Sequence, residues 1–203
     1  MVFDKDHIYV DGLTGHSQLD ETMEGLIDYG SPVAANTTAV LAATAIVPGG
    51  TIKVNKKVDD YYGRTIQVTS TGAGVLVVNG RDYLNQAMTQ TVTATVGTVQ
   101  TLKAFKFIDT VVSTSVTGNV SLGAGAKFGM PFVVSEILKE YDDGASVTVP
   151  TLTALDTATP SGTTGDTRGT VTPTAALNGI INVQMKVRFN QDATNGLYGR
   201  PQA

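Results

Sequence analysis

The chain has 203 residues, 41% of them hydrophobic but only 6% aromatic, with no tryptophan and no cysteine. That composition suits one domain with an aliphatic core, or a smaller domain with long arms, and it excludes disulfides and thiolate metal sites. A formal net charge of −4 and a charged fraction of 16% argue against nucleic acid as a partner, because phosphate backbones select the opposite balance.

With 22 glycines and 30 threonines, the chain favours strands and turns over helices, and the expected fold class is all-β. Residues 1–45 stand apart. They hold both histidines, an acidic excess, a weak helical pattern around Glu21–Ile27 that Gly25 interrupts, and the small-residue run AANTTAVLAATAIV. Their apolar residues Phe3, Ile8, Val10, Leu26 and Ile27 follow no sustained period. This reads as an extended N-terminal arm ordered by a neighbour, with one short strand near His7–Val10. The opening MVFDKDHIYVDG has no long apolar core and does not read as a secretory signal, while the run Ala39–Pro48 is about half the length that spans a bilayer. The expectation is a soluble protein with no membrane partner.

From Pro48 the pattern changes. TIKVNKKV puts Ile52, Val54 and Val58 on one face, and RTIQVTS does the same with Ile66 and Val68. VLVV follows the Gly72–Gly74 turn, and TVTATV alternates Val92, Ala94 and Val96 with threonines. INVQMKVRF is the clearest run, with Ile181, Val183, Met185, Val187 and Phe189 inward. Such period-2 alternation marks half-buried strands. PFVVSEILKEYDDG suits either a two-turn helix or short strands, and strands are favoured because so short a helix is marginal alone. Thr151–Thr174 reads as a long loop or a thin edge strand followed by a loop. NQDATNGLYGRPQA reads as a turn-rich tail with one aromatic hook, Tyr198. About eight strands at a spacing of about 8–14 residues suggest a sandwich or barrel over residues 46–190, followed by a C-terminal tail over 191–203.

Reactive groups are sparse. His7 and His16 lack the HxxxH spacing that places two ligands on one helix face, so they read as surface histidines and no metal is expected. Asp59-Asp60 and Asp142-Asp143 lie beside Gly or Tyr at strand ends, where Asp serves turns; a glycosidase dyad would need an aromatic-lined cleft. GAGAKFG (Gly123–Gly129) lacks the Ser or Thr after Lys that a phosphate loop requires, and reads as a turn that lets Phe128 and Met130 enter a core. GDTRG (Gly165–Gly169) offers Asp166 and Arg168 as a local pair rigidifying a loop. Lys56-Lys57 and the Lys103/Lys106 pair read as solvated faces. Neither a cofactor nor an enzymatic activity is expected.

VNGRDYLNQAM, KAFKFID, AGAKFGMPF, GDTRGTVTP and the terminal LYGRPQA resemble, in that order, segments of the head cement or decoration proteins of tailed bacteriophages. The resemblance runs from about Val78 to the C-terminus. It implies a jelly-roll-like β-sandwich on the capsid exterior of the virion, made in the host cytoplasm and bound to the major capsid protein as a homo-oligomer, a dimer or a trimer. Its role would be to bridge neighbouring coat subunits against the pressure of packed DNA. On that reading the partner-binding residues lie in the arms and in loops at the sandwich ends: Phe3, Ile8, Leu26, Ile27, Arg81, Tyr83, Arg168 and Tyr198. The alternative is a tail- or fibre-associated receptor-binding module.

Overall fold

Val183, Met185 and Val187 are wholly buried, whereas Gln184, Lys186 and Arg188 between them are not. That is the period of a strand covered on one face. The same rule builds the rest of the computed structural model, which describes residues 24–189 and 194–202. Every regular element among them is a strand.

Three sheets form, and all named ladders are antiparallel. The first runs β1 (Glu24–Asp28), β14 (Val183–Phe189), β10 (Val134–Asp142), β11 (Ala145–Val147). The second runs β12 (Thr151–Thr153), β13 (Thr170–Thr172), β9 (Gly118–Gly129), β4 (Arg64–Ser70), β7 (Gly97–Gln100). Here β2 (Leu41–Ile46) joins β9 on the side opposite β4, since Leu122 is registered with both Leu41 and Val68. The third runs β3 (Thr51–Lys57), β8 (Phe107–Ser113), β5 (Gly74–Arg81), β6 (Ala87–Ala94).

The second and third sheets form a sandwich around one core, with Ile66, Val68, Val120 and Leu122 facing Leu76, Val78, Ile108 and Val111. The first sheet closes a second core over the far end of β9, where Ile27, Ile137, Met185 and Phe189 meet Phe128, Met130 and Val171. The expected all-β sandwich is present. Its strand order is that of three sheets meeting along β9, with the second core added to the sandwich.

GAGAKFG is the interior of β9 and not a turn. Gly123, Gly125 and Gly129 alternate onto one face, leaving Phe128 on the other, where it is buried as expected. A Cβ at Gly123 would sit 2.0 Å from the Asn36 carbonyl oxygen, and one at Gly125 would sit 2.4 Å from Thr65 Oγ1. The glycines mark close backbone approach.

The sheets also begin earlier than residue 46. β1 pairs with β14 from Glu24↔Arg188 to Asp28↔Gln184. Gly25, the apparent helix breaker, lies under Phe189, whose ring a Cβ would meet at 2.4 Å. Ile27 is 2% exposed and belongs to the core, so its place as a partner contact is corrected. Phe3, Ile8, Val10 and the strand expected near His7–Val10 lie outside the described residues. The ambiguous segment after Pro131 is a strand, β10, with register shifts at Val134/Glu136 and Ile137/Lys139. Those shifts bury Val134, Ile137 and Glu140, a spacing of three that imitates a helix. In TVTATV the alternation stops at Ala94, because the ladder of β6 ends there and Val96 is 74% exposed. The Thr151–Thr174 loop carries two strands of three residues each, β12 and β13.

Phe128 therefore fills the second core while its backbone continues the first. Phe128→Ala should lower unfolding free energy by about 3–5 kcal/mol, and Val96→Ala should change it by less than about 0.5 kcal/mol. Urea unfolding curves on both variants check this contrast.

Candidate functional site: a buried ionic tie between distant segments

Strand β5 delivers Arg81 and ends in a turn where Asp82 Oδ1 accepts the Gln86 N–H at 2.8 Å. Asn85 takes φ 63° to complete that turn, a conformation Asn tolerates better than most residues. The other Asp82 oxygen receives Arg168 Nη2, and the two side chains are 1% and 2% exposed. Arg168 also lies over the Tyr83 ring at 5.1 Å and donates to the Tyr198 carbonyl at 3.5 Å. The Tyr83 hydroxyl donates to the Pro131 carbonyl.

Asp166 forms a second centre two residues from Arg168. Its carboxylate accepts N–H groups from Ala104 at 3.0 Å, from Arg168 at 3.1 Å and from Gln202 Nε2 at 2.7 Å. The Thr167 hydroxyl donates to the Arg200 carbonyl at 2.8 Å, and Arg200 Nη1 donates to the Thr157 and Ala158 carbonyls at 2.7 and 2.6 Å. Lys103 Nζ donates to the Thr89 and Ser161 carbonyls at 2.9 and 2.7 Å. The loop between β12 and β13 and the C-terminal tail are thus bonded to the body at several points.

Burial decides the electrostatics. It pushes the Asp166 carboxyl above the ordinary range, against the pull of Arg168 and the donated N–H groups. It raises the Tyr83 hydroxyl and lowers the Lys103 ammonium, the latter opposed by Asp166 and Asp156. Asp156 moves the other way, held low by the Ala158 and Gly165 N–H groups. An open groove of about 350 Å³ lies beside the cluster, lined by Leu102, Lys127, Leu155, Asp156 and Thr170 among others. Asp166 also lines that groove, with both carboxylate oxygens bonded as described, whereas Asp82 is not among its lining residues. What the arrangement does chemically is hold chain segments together: beyond the ion pair itself, Asp82 accepts the Gln86 N–H and Arg168 Nη1 donates to the Tyr198 carbonyl, while Arg168 Nε is buried without a hydrogen-bond partner.

Three of the residues expected at a site, Tyr83, Arg168 and Tyr198, come together here. The burial of Arg168 corrects its reading as a surface contact, and its ion-pair partner is Asp82, not its neighbour Asp166. Tyr198 is half exposed and packs its ring on Phe132 at 5.5 Å. Arg81 is elsewhere, on the outer face of the third sheet, bonded to Asp109 at 2.8 Å and lying over Phe107 at 4.4 Å. Leu26 is exposed on the outer face of the first sheet. Lys103 is wholly buried, against its reading as a solvated cation. Asp82, Lys103 and Gln202 were not legible as site residues, because their partners are remote in sequence. The segments VNGRDYLNQAM, KAFKFID, AGAKFGMPF, GDTRGTVTP and LYGRPQA all contribute to this one tie through Asp82, Ala104, Pro131, Arg168 and Gln202. Among the described residues no group of three or more His, Asp or Glu side chains could hold a metal ion. No protein-family model matches this sequence, and no curated protein or solved structure matches it.

Removing one partner of the buried pair leaves the other charge uncompensated. Asp82→Ala should destabilise the fold by about 3–5 kcal/mol, read from chemical unfolding. For Asp166 the folded pKa lies above the unfolded value of about 3.9, so its contribution is fullest below about pH 4 and is lost as pH rises. The stability of the wild type relative to Asp166→Asn should therefore fall as pH rises from that point. Unfolding curves across the pH series check the slope, and a difference growing with pH would contradict it.

Proposed function

We propose that this chain is a virion structural protein that binds the outer surface of an icosahedral phage capsid and stabilises it by bridging neighbouring major capsid proteins. The observation that carries this reading is the convergence of the five segments resembling cement proteins on one buried tie. The tie holds a long loop and the C-terminal tail at one end of the sandwich, which suits a protein that has to keep its contact surface in shape under tension.

Preorganised contacts favour such binding, because little rotamer entropy remains to be lost. Tyr198 is the best placed of them, half exposed yet braced by Phe132 and by its own carbonyl on Arg168. Leu26, 54% exposed, offers an apolar contact on the first sheet. Phe3 and Ile8 extend the same reading into the N-terminal segment. A net charge of −4 favours a protein partner outside the genome over DNA. Repetition over a shell converts modest single-site affinity into avidity. The reading involves no catalytic step and no cofactor.

Copy number in purified particles tests the reading. Hundreds of copies distributed over the head are expected, and a dozen or fewer at one vertex would replace it with the receptor-binding alternative. On the same reading Tyr198→Ala should weaken binding to undecorated heads at least about tenfold, as truncation of an aromatic anchor does. A pelleting titration of heads with the folded variant measures that loss.

A further inference from the structure

Three acidic residues, Glu140, Asp142 and Asp143, stand at the end of β10, beside the loop over residues 174–182 that leads into β14. Two of them clamp that loop. Glu140, wholly buried, accepts the Thr174 N–H with both carboxylate oxygens at 3.0 Å and the Ala175 N–H at 3.0 Å. Asp143 accepts the Asn182 N–H at 2.8 Å, and its own N–H donates to the Asn182 carbonyl at 2.9 Å. Both ends of the loop are thus fixed to one strand end, and between them it presents Ile180, 77% exposed.

Asp142 clamps nothing. Its Oδ1 is buried and accepts no hydrogen bond. Two residues from Glu140, it projects from the same inner face of β10. There Glu140 is registered with Met185 and Asp142 with Val183, and the two acidic side chains are within hydrogen-bonding reach of each other. Two carboxylates so close resist being charged together. Among the described residues no cation faces them. Strand β14 offers Val183 and Met185, β11 offers Ala145 and Val147, and residues 173–182 carry no charge. Lys139 and Tyr141 project from the opposite face of β10, where Lys139 is registered with Lys186, and Asp28 of β1 is registered with Gln184 on that outer face. The remaining titratable neighbour, Asp143, is a third acid. Burial, then Glu140, then Asp143 push the Asp142 carboxyl above the ordinary range.

We infer that Asp142 and Glu140 share a single proton across the inner face of β10, forming a latch that grips the 174–182 loop in acid and slackens it as pH rises. The proton turns the unpartnered Asp142 oxygen into a donor and makes Glu140 its acceptor. Glu140 then keeps its two N–H groups without a second negative charge beside it. Loss of that proton sets two anions against each other on one strand face, and the loop's first clamp takes the repulsion. Asp142 contributes its stabilisation in full below about pH 4, the ordinary aspartate value, and loses it as pH rises through its own raised value. The inference rests on the end of β10 alone and not on the capsid reading.

Carboxyl-carbon NMR and amide exchange on the purified full chain, from about pH 3 to about pH 8, test the latch. The Asp142 carboxyl should titrate above the ordinary aspartate value, and the Thr174 and Ala175 amide shifts should follow the same midpoint. Protection of those two amides should fall about tenfold for each pH unit by which that midpoint exceeds the ordinary value. Asp142→Asn, whose amide donates to Glu140 at every pH, should hold them equally well across the range. Should that variant fail to fold, the wild-type titration decides alone. An Asp142 midpoint at or below the ordinary value overturns the inference. So do Thr174 and Ala175 amides that ignore the Asp142 midpoint, or an Asp142→Asn variant that keeps the wild-type pH dependence.

Discussion

The fold depends on a guanidinium buried where the two cores meet. Arg64 is 2% exposed, donates through Nε and Nη2 to the Gly125 carbonyl and through Nη1 to the Val33 carbonyl at 2.9 Å, and lies over the Phe128 ring at 4.9 Å. Burial lowers its pKa and Asp59 opposes that shift; an arginine stays charged under such pressure. Its acceptors belong to β9 and to the segment before β2, and its stacking partner belongs to the second core. Neither core can come away from β9 without stripping a buried cation of its partners. The glycine face of β9 belongs to the same constraint, because the Asn36 segment and β4 approach that strand only where no Cβ intervenes.

Arg168 settles the same problem differently. Arg64 is satisfied by carbonyls and a ring, whereas Arg168 has a carboxylate, Asp82, together with a carbonyl and a ring. The carbonyl acceptors of Arg64 tie β4 to its neighbour β9 and to the segment before β2. A carboxylate from a β5–β6 turn pins a loop from another sheet and, through Asp166 and Gln202, the end of the chain. The first cation organises the body and the second fastens its coverings. With loop and tail fastened, the shape of that end of the sandwich is set by the fold.

Alternation determined much of this protein from sequence alone. In β14 every second residue is apolar, and β4 repeats the pattern at Ile66 and Val68, so a strand covered on one face is the only economical reading. The all-β class followed from those runs and from the threonine content. Local reading failed where tertiary pairing altered the period: the two register shifts in β10 made a strand look helical, and the glycines of β9 looked like a turn because their purpose is to admit Asn36 and Thr65. It also failed for Ile27, whose only periodic companions, Gly25 and Tyr29, gain meaning once β14 lies alongside. The ionic tie was least legible, since Asp82 and Arg168 are 86 residues apart and Asp166 and Gln202 are 36 apart. A side chain's own neighbours declare which face of a strand it occupies, but a charge becomes interior only when a partner from elsewhere in the chain arrives to compensate it. Strand and face were therefore written locally, and the burial of each ion was decided by the packing of the sheets.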